Sequence, residues 1–156
     1  MPQAQTAETS DPPTSLRIRP GTLSDGARIW GLVQECDVLD KNSCYAYLLL
    51  CRDFSPTTLA AVEGDQLLGF VAGYIPPDRP DVVFVWQIGA APSARRKGVA
   101  KSLLRALLKS EACRDIRFLE ATVTPSNKAS ARLFRSFADE IHADVHVLPG
   151  FQSEDF

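Results

Sequence analysis

The sequence contains no apolar run of the roughly 18 or more residues that a helix needs to cross a bilayer, so a membrane span is excluded. Nor does an apolar stretch follow a charged one at the N-terminus, which leaves no secretory leader to read. Paired cysteines are lacking as well. Cys36, Cys44, Cys51 and Cys113 form no Cys-x-x-Cys unit, and His142 and His146 lie far from them, so no metal site is expected. Free, mostly buried thiols in a reducing cytoplasm are the economical inference. Positive charge is not in excess. With a formal net charge of -2 and a pI ≈ 5.7, and without a basic stripe interleaved with aromatics, the chain is poorly suited to nucleic acid. No internal repeat and no heptad run occurs.

What is present suits one compact enzyme domain acting on small molecules. The 156 residues, 45% hydrophobic and 23% charged, can bury a real core. Residues 1–15 are rich in Thr, Ser, Pro, Ala and Gln and offer almost nothing to bury, so they read as a disordered tail, with a single domain over 16–156.

Along that domain, Leu16 to Arg19 alternates as a strand. Pro20-Gly21 then turns the chain, and Thr22 or Ser24 caps a helix bearing Ile29, Leu32 and Val33 and ending near Cys36. A less regular segment covers Leu39 to Cys51. Leu59 to Val62, the turn Glu63-Gly64-Asp65 and Leu67 to Tyr74 read as a β-hairpin, and Val82 to Ala90 as another strand. Val99, Leu103, Leu104, Leu107 and Leu108 line one face of a helix. Phe118 to Val123 reads as a strand, Pro125-Ser126-Asn127 as the start of a helix with Leu133, Phe134 and Phe137 on its apolar face, and Val145 to Leu148 as one more strand. The fold class is α/β (α+β), a mixed and mostly antiparallel sheet flanked by helices, with one parallel pair beside the helix from Val99.

The most informative stretch is Arg95-Arg96-Lys97-Gly98-Val99-Ala100, between an apolar strand and a helix. Gly98 can adopt backbone conformations closed to other residues, Ala100 permits close approach, and the helix start offers unpaired amides to an anion. A pyrophosphate cradle and a solvated basic turn are both consistent with these six residues alone. Their spacing resembles the Arg/Gln-x-x-Gly-x-Gly/Ala pattern of the GCN5-related N-acetyltransferases.

Further runs carry a narrower resemblance. Leu39-Asp40-x-Asn42-Ser43-x-Tyr45-x-Tyr47-Leu48-Leu49, Tyr74-Ile75-Pro76-Pro77, Phe84-Val85-Trp86-Gln87 and Leu119-Glu120-x-Thr122-Val123-Thr124-Pro125-Ser126-Asn127 are similar to the L-2,4-diaminobutyrate acetyltransferases of ectoine biosynthesis, a family within that superfamily. The resemblance extends over most of the chain and implies acetyl transfer from acetyl-coenzyme A to the 4-amino group of L-2,4-diaminobutyrate, in a cytoplasmic homodimer that serves compatible-solute synthesis under osmotic stress. Acetyl-coenzyme A is a co-substrate, and no metal is implied.

For the donor, the resemblance places pyrophosphate on amides from Arg96 to Lys101, through Lys97, Gly98, Val99 and Ala100, with Arg95 or Lys101 adding charge. The strand end Ile88-Gly89-Ala90 would take the pantetheine arm as a neighbouring strand, with Ile88 and Ala90 offering main-chain bonds and polarising the thioester carbonyl. Asn127 would hold that arm, cap its helix, or do both. For the acceptor, Asp40, Asn42 and Tyr45 supply acids and donors for a zwitterion with a second ammonium, against the plainer reading of an exposed helix start. Trp86 is either a wall of that pocket or core. Glu120 is a candidate general base or an outward-facing strand carboxylate.

Two departures from the family pattern stand out. Phe134 occupies the place where many members of the superfamily have a Tyr as general acid, so no side-chain acid is assigned; a thiol with a pKa of about 8.5 leaves tolerably without one. The superfamily sheet also usually gains a further strand after the one resembling Val145 to Leu148, which the chain to Phe156 is expected to lack.

Overall fold

The computed structural model describes residues 15–156, so the tail assigned to 1–15 lies outside the described residues but for Ser15. Five strands, β1 (Arg17–Pro20), β2 (Thr58–Glu63), β3 (Gln66–Tyr74), β4 (Val82–Ala90) and β5 (Phe118–Glu120), form one sheet in the order β1-β2-β3-β4-β5. The first three pairings are antiparallel, and β4 with β5 is parallel. Four α-helices accompany them: α1 (Leu23–Gln34), α2 (Cys44–Asp53), α3 (Val99–Lys109) and α4 (Lys128–Glu140). Gly64, at φ 57°, and Asp65 close the β2–β3 hairpin, as such a tight turn requires.

Neighbouring residues of a strand face opposite sides of a sheet, and both sides are covered here. Phe70 meets Tyr47 of α2 edge to face at 6.2 Å, whereas a side chain at Gly69 would strike Val99 of α3. The core joins Ile29, Leu32 and Val33 of α1, Phe70 and Val71 of β3, Val83 of β4, and Leu103, Leu104 and Leu107 of α3, all buried. Helical spacing put the α1 and α3 residues among these on one face of each helix, and the sheet provides what that face packs against.

The start of α1 is held by charge. The Asp25 carboxylate, 0% exposed, accepts from Arg19 Nη1 at 2.6 Å, Arg28 Nη1 at 3.1 Å and the Thr22 amide at 2.8 Å. Burial opposes its ionisation, but the bonds from Arg19 and Thr22 together outweigh burial and hold its pKa at about 2.

Two expectations fail, and the less regular segment resolves into two parts. The segment from Leu39 begins as loop and becomes helix only at Cys44, where Ser43 caps α2 by accepting from the Ala46 amide. β5 ends at Glu120 rather than at Val123. Val145 to Leu148 is no strand: residues 143–150 are exposed and without regular structure, since a strand needs a ladder partner and alternating apolar residues do not supply one.

Candidate active site

Strands β4 and β5 are paired only at Val82–Phe118, Val83–Leu119 and Phe84–Glu120. Beyond Phe84, β4 continues to Ala90 while β5 has ended, so the two strands part in a V. The amide of Ala91 donates to Leu68 O at 2.8 Å on the β3 side. Main-chain groups alternate along a strand, so those of Ile88 and Ala90 point away from β3 into the V. Ala90 O also accepts a weak bond from the buried Cys36 thiol at 3.7 Å. Strand β4 is bulged: Ala72 opposes Gln87 and Gly73 opposes Val85, which leaves Trp86 as the unpaired extra residue.

At the mouth of the V lies the loop before α3. Arg96 and Gly98 both have positive φ, 62° and 75°, and Gly98 forms the left-handed N-cap of α3. The turn brings together the amides of Arg96, Gly98, Val99, Ala100 and Lys101, which among the described residues make no backbone hydrogen bond. A Cβ built at Gly98 has nothing within 4 Å, so the space before these amides is open. Oriented N–H groups at a helix start, with room in front, suit the pyrophosphate of coenzyme A.

A cleft between β4 and the chain after β5 is lined by Trp86, Gln87 and Ile88 on one side and by Ala121, Thr122, Val123 and Thr124 on the other. Val38, Leu39 and Asp40 close one end, and Asn127, Ser130 and Phe134 of the α4 segment the other. The last three recur at helical spacing, and Asn127 Oδ1 caps α4 by accepting from the Ser130 amide at 3.0 Å. Of the residues read from sequence, the fold thus brings Asp40, Trp86, Ile88, Asn127 and Phe134 to one cleft.

Others are placed elsewhere. Tyr45, 65% exposed, does not line the cleft, because at the second position of α2 it points away from the packed face that Tyr47 occupies. The Lys101 side chain turns to α4, with Nζ 3.4 Å from Glu140 Oε2 and from Ser136 O, which leaves only its amide at the cradle. Glu120 pairs with Arg79 at 2.5 Å and is not among the cleft residues, so the carboxylate reads as a clasp where β4 and β5 part. Asn42 stands beside the cleft, its Nδ2 donating to Asp40 O at 3.1 Å.

Two residues were missed. The Tyr47 hydroxyl donates to Gln87 Oε1 at 2.8 Å, and Gln87 Nε2 donates to Asp40 O at 2.9 Å. Burial pushes the Tyr47 phenol up, so it remains protonated and able to donate. The sequence carried one signal for Gln87, a lone amide in the otherwise apolar run from Val82 to Ala90, since a polar group inside such a strand must find partners.

Comparison with known proteins agrees with this geometry. Residues 27–138 match the acetyltransferase (GNAT) family. The L-2,4-diaminobutyric acid acetyltransferase of Shouchella clausii is 43% identical over 141 residues, covering 90% of this chain and 79% of that protein. Its counterpart from Halalkalibacterium halodurans is 42% identical over 154 residues, covering 99% and 81%. Among solved structures, the diaminobutyrate acetyltransferase EctA of Paenibacillus lautus, in complex with its substrate L-2,4-diaminobutyric acid and coenzyme A, superimposes with a TM-score of 0.79 at 41% identity, covering 81% of this chain and 76% of that one.

Proposed function

This chain belongs to the acetyltransferase (GNAT) family, and from that premise we propose that it transfers acetyl from acetyl-coenzyme A to the 4-amino group of L-2,4-diaminobutyrate, giving N4-acetyl-L-2,4-diaminobutyrate for ectoine biosynthesis. The observation that carries this reading is the parting of β4 and β5 with an acid-bearing cleft on its open side, in a chain 41% identical to an enzyme solved with diaminobutyrate and coenzyme A.

In this reading the amides from Arg96 to Lys101 hold the pyrophosphate, and Arg95 adds charge from the exposed loop. The pantetheine arm lies along Ile88 to Ala90 as a surrogate strand, steadied by Asn127. A main-chain amide of β4 facing the V polarises the thioester carbonyl as negative charge builds on its oxygen. Asp40 faces the ammonium next to the acceptor carboxylate, and the Trp86 ring walls the pocket.

The 4-amine attacks the thioester carbon directly in a ternary complex, the C–S bond breaks, and the thiolate leaves as coenzyme A, taking up the proton that the nitrogen sheds as the amide forms. An alkyl ammonium with a pKa of about 10 must first lose a proton. That proton passes to water among the hydroxyls of Thr122, Thr124 and Ser130, since Glu120 is held by Arg79 outside the cleft. No thiol is needed as nucleophile. Burial raises the Cys51 thiol to about 11 and also raises that of Cys113, which keeps both protonated and inert.

The reading extends to a cytoplasmic homodimer that works under osmotic stress: the similarity to the diaminobutyrate acetyltransferases suggests the assembly and the setting, and the free cysteines suit a reducing compartment. A mass-spectrometric screen of diamines with acetyl-coenzyme A tests donor, acceptor and position together. The expected product is acetylated at N4 of L-2,4-diaminobutyrate, and transfer confined to other amines would overturn the assignment.

A further inference from the structure

The segment between α1 and α2 carries Asp40 but contains no helix or strand, so its place over the sheet depends on side-chain contacts. Four groups there close a ring of hydrogen bonds. Tyr47 O–H donates to Gln87 Oε1 at 2.8 Å, Gln87 Nε2 donates to Asp40 O at 2.9 Å, and Asn42 Nδ2 reaches both Asp40 O at 3.1 Å and the Tyr47 oxygen at 3.5 Å. Tyr47 is 1% exposed and Gln87 8%, so water cannot readily replace the bonds they make.

The same tyrosine also touches the β4 wall of the cleft. Its ring lies 5.9 Å from that of Trp86, tilted by 49°. Gln87 directly follows the bulged Trp86, so the bulge that aims Trp86 at the cleft also aims Gln87 at α2 and the Asp40 segment. Leu39 packs so tightly on β4 that a Cβ at Gly89 would lie 2.7 Å from Leu39 Cδ1.

We propose that Tyr47 and Gln87 are positioning residues for acceptor selection, fixing the separation between Asp40 at one end of the cleft and Trp86 on its β4 side. Neither touches the reacting atoms. They act by holding both the main chain of Asp40 and the Trp86 ring, so the pocket admits a diamino acid of one length. This rests on the diaminobutyrate reading above. The alternative is a ring that only stabilises the fold, in which case its loss would lower the melting temperature and leave the preference among acceptors unchanged.

Tyr47→Phe and Gln87→Leu each break the ring while keeping nearly the same volume, and Gln87→Glu serves as a second variant if the leucine form does not fold. Steady-state kinetics with L-2,4-diaminobutyrate and with L-ornithine, one methylene longer, are compared with acetyl-coenzyme A affinity by calorimetry and with thermal unfolding. In folded protein, KM for L-2,4-diaminobutyrate is expected to rise about tenfold, as loss of one buried hydrogen bond allows. Turnover at saturation should change far less, donor affinity should hold, and the ratio of kcat/KM for ornithine to that for diaminobutyrate should rise. The double variant should be little worse than the poorer single one, because both changes open the same ring. An unchanged acceptor ratio in folded variants would overturn the positioning role. Failure of the wild-type protein to acetylate L-2,4-diaminobutyrate would instead overturn the functional reading beneath it, so the two failures are told apart by the wild-type arm.

Discussion

Phe84 lies opposite Glu120 at the last step of the parallel β4–β5 pairing, and past that step β4 has no strand partner on its open side among the described residues. Unpaired strand backbone inside a domain must find partners in water or ligand. Here that edge runs from the Arg79–Glu120 clasp toward the amides at the start of α3.

Gly98→Trp tests the cradle. The backbone at φ 75° makes any side chain strained by about 1–2 kcal/mol, but open space around the position lets the domain survive. Calorimetry should show loss of acetyl-coenzyme A binding with an intact circular-dichroism spectrum. Unchanged affinity would remove the cradle from the reading.

Asp40→Asn tests the acceptor anchor. Loss of one charge-assisted bond is expected to cost roughly 1.5–3 kcal/mol, about ten- to a hundredfold in kcat/KM for L-2,4-diaminobutyrate. Some product should now carry acetyl on N2, visible by NMR, while donor affinity holds. Exclusive N4 acetylation with wild-type kinetics would send the search to other residues of the cleft.

Glu120→Gln separates clasp from base. Because Glu120 is paired with Arg79 away from the cleft, turnover should fall less than about tenfold, under roughly 1.4 kcal/mol in barrier, and the pH–rate profile should keep its acid limb. A hundredfold loss with that limb abolished would restore it as the base.

Phe134→Tyr addresses the leaving group. A hydroxyl at this cleft position should change turnover less than about tenfold if thiolate departure does not limit the rate. A large gain in single-turnover rate would show that it does.

Asp25 predicts how stability depends on acid. Its pKa is lowered from 3.8 to about 2, so the folded state gains stability above pH 4 and loses it as pH falls through that window. The contribution is about 2 kcal/mol at neutral pH. Denaturant unfolding should therefore weaken between pH 4 and pH 2, and Asp25→Asn should flatten that part of the curve while lowering stability at pH 7. A variant with the wild-type slope would show that other carboxylates carry it.

Local order was legible because its causes are local. Apolar residues at helical spacing in α1 and α3, the apolar runs of β2 and β3 on either side of the Gly64 turn, and Asn127 as a cap each depend on a few neighbouring residues, as does the left-handed turn at Gly98. The partners of side chains across the sheet were not legible, since they depend on register and on which strands end early. Spacing alone could not place Lys101 on Glu140, Glu120 on Arg79 or Tyr45 in solvent, and it could not tell that Val145 to Leu148 would find no strand to pair with. The bulge at Trp86 decided most: one extra residue in β4 turned a tryptophan toward the cleft and a glutamine toward Tyr47, a choice made by the β3 ladder and not by the residues themselves.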